Sequence, residues 1–95
     1  MTRTEFLDFI RGREFYIETA IGKIKYLYTG PIGIQLTKND RVSESYSFDV
    51  READNKIQVT IAGQKNYFVE GSANSDGFQM KEPGGLVVDY KFSRK

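Results

Sequence analysis

The sequence predicts an all-β fold: an antiparallel up-and-down meander of about eight short strands behind one short N-terminal helix. Three observations point there. Past Gly12, apolar residues recur at every second position, the period of a strand with one buried face. Clusters of Gly, Pro, Asn and Asp interrupt that pattern every few residues, as hairpin connections do. No stretch of helical spacing lies between the strands, which excludes parallel βαβ units. With 95 residues, 39% hydrophobic and 28% charged, the chain is one domain over 1–95 with a thin core.

The helix comes first. Thr2-x-x-Glu5 reads as a capping box, and Phe6, Leu7, Phe9 and Ile10 follow at helical spacing. Arg11 suits the last turn and Gly12 the left-handed position beyond it. A helix of roughly nine residues does not persist alone in water, so it docks, with Phe6 and Ile10 as anchors.

The strands follow in order. Phe15 and Ile17 alternate with Glu14, Tyr16 and Glu18. Ile24, Tyr26 and Tyr28 share the next face, and Thr29-Gly30-Pro31 turns the chain. Ile32, Ile34 and Leu36 come next, then the turn Lys38-Asn39-Asp40-Arg41. Tyr46, Phe48 and Val50 precede the turn at Ala53-Asp54-Asn55. Ile57, Val59 and Ile61 lead into the connection Ala62-Gly63-Gln64, after which Tyr67 and Val69 are expected inward. A polar loop from Gly71 to Gly77 separates these from Phe78 and Met80. Glu82-Pro83-Gly84-Gly85 fits a type II turn, and Val88, Tyr90 and Phe92 end the series.

An open sheet of eight such strands would expose one apolar face and two sticky edges. Closing into a barrel, with the helix over one end, removes both. A two-sheet sandwich and a dimer covering an open sheet are the alternatives.

Two stretches carry a family resemblance. Ile10-Arg11-Gly12-Arg13-Glu14-Phe15 follows the helix, and Phe92-Ser93-Arg94 closes the chain. Between them, Tyr46-x-Phe48, Ile57-x-Val59, Tyr67-x-Val69 and Phe78-x-Met80 succeed one another with short gaps. In these features the chain resembles the small bacterial lipocalin-like domains of the calycin superfamily. That family follows a short helix with Gly-x-Trp, then an up-and-down barrel ending in an aromatic-x-Arg. Here the signature Trp is absent: Glu14 takes its place and Phe15 is the nearest aromatic. The resemblance implies a closed barrel with Arg94 packed on Phe15, a structural cation–π contact of about 0.5–2 kcal/mol.

Composition removes much chemistry. Without Cys or His there are no disulfides, thiol nucleophiles or imidazole bases, and almost no route to zinc. Fourteen basic against 13 acidic residues give a net charge of +1 with no block of like charge, so neither nucleic acid nor anionic lipid is an expected partner. No run of ~18 apolar residues exists to span a membrane. No secretory leader is evident at Met1–Glu5, so a cytoplasmic location is expected if the chain is the whole gene product.

Glu14 and Glu18 share a face but lie roughly 13 Å apart along a strand, too far for a retaining carboxylate pair. Asp49, Asp54 and Asn55 lack the spacing of a calcium loop and read as turn residues. The Gly71–Gly77 loop runs into a strand rather than the helix a phosphate loop needs. No catalytic residue, metal ligand or cofactor is assigned, and the chain is not expected to be an enzyme.

The tyrosines are the suggestive set. Tyr26, Tyr28, Tyr46, Tyr67 and Tyr90 all share the apolar parity of their strands, and only Tyr16 falls on the other. A buried phenol needs a hydrogen-bond partner, so several inward tyrosines fit a pocket lined with rings and a few hydroxyls. The competing explanation is that the rings fill a narrow barrel. Together with the resemblance, this parity leads to a non-enzymatic domain binding a small apolar or amphipathic ligand at these five residues. The alternative is a protein-interaction module, an inhibitor, immunity or assembly protein or a homodimer, with a filled barrel. Its contacts would lie in the Ser72–Asp76 loop and the Pro31 turn.

Overall fold

The computed structural model describes residues 1–20, 22–28, 33–39, 41 and 43–93, without the Ser43 side chain. The Thr29-Gly30-Pro31 turn, Ile32 and Arg94 lie outside the described residues. The chain folds into α1 (Arg3–Ile10), β1 (Glu14–Thr19), β2 (Gly22–Tyr28), β3 (Gly33–Lys38), β4 (Ser43–Ala53), β5 (Lys56–Ile61), β6 (Gln64–Phe68), β7 (Gly77–Lys81) and β8 (Val87–Phe92). The eight strands form one closed antiparallel barrel in sequence order, each paired with its neighbours and β8 returning to β1. This is the expected up-and-down closure, consistent with a lipocalin-like architecture.

The helix starts where its chemistry dictates. Thr2 Oγ1 accepts from the Glu5 amide at 3.1 Å, and the Thr2 amide donates to Glu5 Oε1 at 2.8 Å, completing the capping box. These hydrogen bonds hold the Glu5 carboxyl below its ordinary range. Helix α1 lies across one end of the barrel. Phe6, Leu7 and Ile10 are buried, as the spacing requires. The Arg3 side chain donates to the Val50 carbonyl at 2.6 Å, and the Arg3 amide to Glu52 Oε1 at 2.7 Å, tying the helix to β4.

Inside, the strands contribute one ring-rich core. Phe6 meets Phe68 and Phe78 edge-on, with centroids 5.4 and 5.6 Å apart. Phe15 stacks on Tyr26 at 5.3 Å and meets the edge of Phe78 at 5.4 Å, while Phe78 stacks on Tyr90 at 5.3 Å. Such pairs add about 0.5–1.5 kcal/mol each beyond the area they bury. Gly77 permits this packing: a Cβ there would sit 2.0 Å from the Tyr90 carbonyl oxygen, so β7 and β8 close only over a hydrogen.

Two expectations are corrected. Val69 and Tyr67 were expected inward, but Asn66 and Phe68 are the buried residues of β6, and Tyr67 turns outward under Lys56. The cause is the turn. Ala62 and Gly63 both have positive φ, 51° and 85°, so the hairpin has a two-residue loop and Ile61 faces Gln64 directly. One residue fewer in the loop moves every later side chain to the opposite face. At the β7–β8 connection, the left-handed residue is Gly85 (φ 92°) and not Gly84, so the turn is not type II. The Gly85 amide donates to the Glu82 carbonyl at 2.9 Å and the Glu82 amide to the Leu86 carbonyl at 2.8 Å.

Candidate functional site

The connections after β1, β3, β5 and β7 gather at the end opposite the helix, and this end is the mouth of the barrel. A chain of polar groups lines its inner wall. Asn66, 1% exposed, donates to the Val59 carbonyl at 3.3 Å. The Gln64 carboxamide donates to Asn66 Oδ1 at 2.8 Å and to Glu82 Oε2 at 3.1 Å. Tyr26 and Tyr90 come from β2 and β8 to the same region. Burial pushes the Tyr26 phenol up to about 12, and the Glu82 charge adds to the shift. Tyr90 moves in the same direction, from burial first and then from Tyr26 and Glu82. Both phenols are therefore neutral at physiological pH. No buried side-chain nitrogen or oxygen among the described residues lacks a partner, so each such hydroxyl is hydrogen-bonded or reaches water.

The five sequence-derived tyrosines do not form one cluster. Tyr26 and Tyr90 meet, with centroids 5.9 Å apart. Tyr28 is buried beside Phe48, at 5.0 Å. Tyr46 stands apart on the barrel wall, its hydroxyl donating to the Glu44 carboxylate, which holds the phenol proton and raises its pKa. With Leu36, Lys38, Asn39, Arg41 and Glu44 it lines a depression of about 560 Å³. Tyr67 lies on the outer face, so it cannot line the interior. Asn66, Gln64 and Glu82 were missed. A two-residue reading of Ala62-Gly63 would have found the first two, because Ile61 and Val59 then share their face with Gln64 and Asn66.

The Arg94–Phe15 contact that the resemblance implies lies outside the described residues; among those described, the cation–π contact at the helix end is made by Arg13. The Arg13 guanidinium lies 3.8 Å over the Phe92 ring and 5.5 Å from Phe9, while Phe15 is covered by Tyr26, Phe78 and Tyr90. The Ser72–Asp76 loop is internally tied. Asn74 Oδ1 accepts from the Asp76 and Gly77 amides at 2.7 and 3.1 Å, and the Ser72 hydroxyl donates to the Val69 carbonyl at 2.6 Å. Glu14 accepts from the Ser93 hydroxyl at 2.8 Å.

Two seams of the wall are short among the described residues: β6 meets β7 only at Tyr67–Lys81 and Phe68–Met80, and the β1–β8 seam is equally brief. Neighbouring hairpins hold long ladders: β1 with β2 from Glu14–Leu27 to Thr19–Gly22, and β7 with β8 from Gly77–Lys91 to Lys81–Val87. Among the described residues β1 meets β8 only at Phe15–Phe92 and Tyr16–Lys91. Beyond Tyr16 the two strands fork toward the mouth. Tyr16, Glu18, Val87, Val88, Asp89 and Lys91 line a depression of about 350 Å³ over the fork.

No helix among the described residues is long and apolar enough to cross a membrane. No family model, no curated protein and no solved structure matches the chain.

Proposed function

We propose that the chain is a non-enzymatic binding module that meets a protein partner from the outside of a filled barrel. The observation that carries this reading is the packing of the interior. Rings from α1, β1, β2, β7 and β8 stack or meet edge-on at centroid distances of 5.3–5.6 Å, so the space a ligand would use holds side chains. The closed eight-stranded barrel with a helix over one end supports a lipocalin-like, calycin-related origin for this module, of the kind bacterial chains carry.

A second reading has one specific observation in its favour. The neutral phenols of Tyr26 and Tyr90 lie within the electrostatic reach of Glu82, which Gln64 links to Asn66. An amphipathic small molecule could place its polar group there, its apolar part resting on the mouth's rim. Native mass spectrometry of the purified chain separates the two readings. The filled-barrel reading expects the bare chain mass. Extra mass of a small apolar metabolite, lost in a Tyr26→Phe, Tyr90→Phe double variant, would overturn it in favour of the mouth.

A further inference from the structure

The fork between β1 and β8 has a sequence reason, and that reason describes what would fill it. Tyr16 faces Lys91, so continuing the ladder would place Glu18 opposite Asp89 on the outer face. Both are exposed acids, and like charges directly opposite destabilise a strand pair. Each has a neighbour on its other side: Glu18 faces Lys23 across β2, and Asp89 accepts from Gln79 at 2.7 Å. Neither neighbour lies in the fork.

Backbone direction sharpens the point. The Glu14 carbonyl accepts from the Ser93 amide at 2.9 Å across the seam. Backbone groups alternate sides along a strand, so those of Glu18 and Asp89 also face the seam. No ladder pair joins them. The side chains behind them, Ile17 and Val88, are only half-buried, whereas their ladder neighbours Phe15 and Tyr90 are 1% and 3% exposed. At the mouth of the fork, Leu86 is 63% and Val87 48% exposed, the large apolar residues that the barrel leaves outside, together with Met1, among the described residues.

We infer that this fork is a docking site for a short extended segment of a partner protein, with a Lys or Arg directed outward between Glu18 and Asp89 and apolar neighbours directed at Ile17 and Val88. This rests on the surface-module reading above and names its partner's chemistry. The segment's backbone meets the unladdered edges, as in strand addition. Its cation turns a repulsive acid pair into a carboxylate–cation–carboxylate row, and its next apolar residue covers Leu86. Charge complementarity therefore selects the register, and the edge supplies main-chain hydrogen bonds.

The test uses two synthetic acetylated heptapeptides of alternating threonine and valine, one with a central lysine and one with a central glutamate. Each is titrated into the ¹⁵N-labelled chain. The lysine peptide should move the resonances of Ile17, Glu18, Val88 and Asp89 and bind about tenfold more tightly than the glutamate peptide. Glu18→Gln should keep the fold and narrow that ratio. Glu18→Lys should pair with Asp89, close the fork and abolish the response. Equal binding of both peptides, or silence of these four residues, overturns the inference. If the peptides bind another edge while the fork is silent, only this site falls. If no peptide binds and the mouth carries a small molecule in native mass spectra, the surface-module reading falls with it. Concentration-dependent shifts of the same residues without peptide would make the occupant a second copy, against the inference.

Discussion

The two ends of this barrel solve the problem of closure in different ways. At the helix end, Phe6, Phe9, Phe78 and Phe92 interlock, Arg13 covers Phe92, and Arg3 satisfies the Val50 carbonyl on β4. At the mouth, the wall carries a carboxamide–carboxylate chain and two phenols, and the β1–β8 seam comes apart beyond Tyr16. The contrast places stability at one end and accessible polar and backbone groups at the other. A small barrel need not close uniformly to be stable, because the core that holds it is concentrated under the helix.

The inward face is tested by the largest effect. Phe48, 5% exposed, should not tolerate charge: Phe48→Asp should cost more than ~4 kcal/mol and leave the chain unfolded in circular dichroism. Its neighbour Asp49 is outside, paired with Arg51 at 2.6 Å, and Asp49→Ala should change stability by less than ~1 kcal/mol. The two ends are compared next. Phe78→Ala should cost about 3–5 kcal/mol in urea unfolding, and half-buried Val88→Ala about 1 kcal/mol. Equal losses would mean that the mouth is packed as tightly as the helix end.

The β6 face gives a smaller but sharper contrast. Asn66→Ala removes one of the two acceptors of the Gln64 carboxamide and opens a space, and should cost about 1–3 kcal/mol. Tyr67→Ala, on the outer face, should cost less in the same unfolding experiment. The reverse ranking would restore the face expected from a three-residue loop.

The mouth phenols predict an alkaline effect. Tyr26 is raised from 10.0 to about 12 by burial, so the folded state keeps a proton that the unfolded state gives up. The stability this contributes is fully present below pH 10 and is lost as pH rises through about 12. Urea unfolding at about pH 9 and about pH 11 should show the decline, and Tyr26→Phe should reduce it to the part that Tyr90 contributes.

Most of the architecture was legible because period-2 alternation survives in seven of the eight strands and the capping box is local. β6 was not, because its face depends on whether Gln64 belongs to the loop or the strand, and composition alone does not settle that. The positive φ of Ala62 decides it, and alanine is not a residue that announces a left-handed turn. The shared parity of the tyrosines breaks at Tyr67 for the same reason, and parity alone does not gather Tyr46 and Tyr90 into one cluster. The Glu18–Asp89 opposition is written in the chain, but only the register Tyr16–Lys91 reveals it.

Residue-resolved amide hydrogen exchange tests the central contrast most directly. The amide of Glu18, facing the fork, should exchange by local opening at least ~100-fold faster than that of Val59, which lies in the intact wall and is 0% exposed. Equal protection of the two, at the level of global unfolding, would show that the seam is closed and would contradict this account.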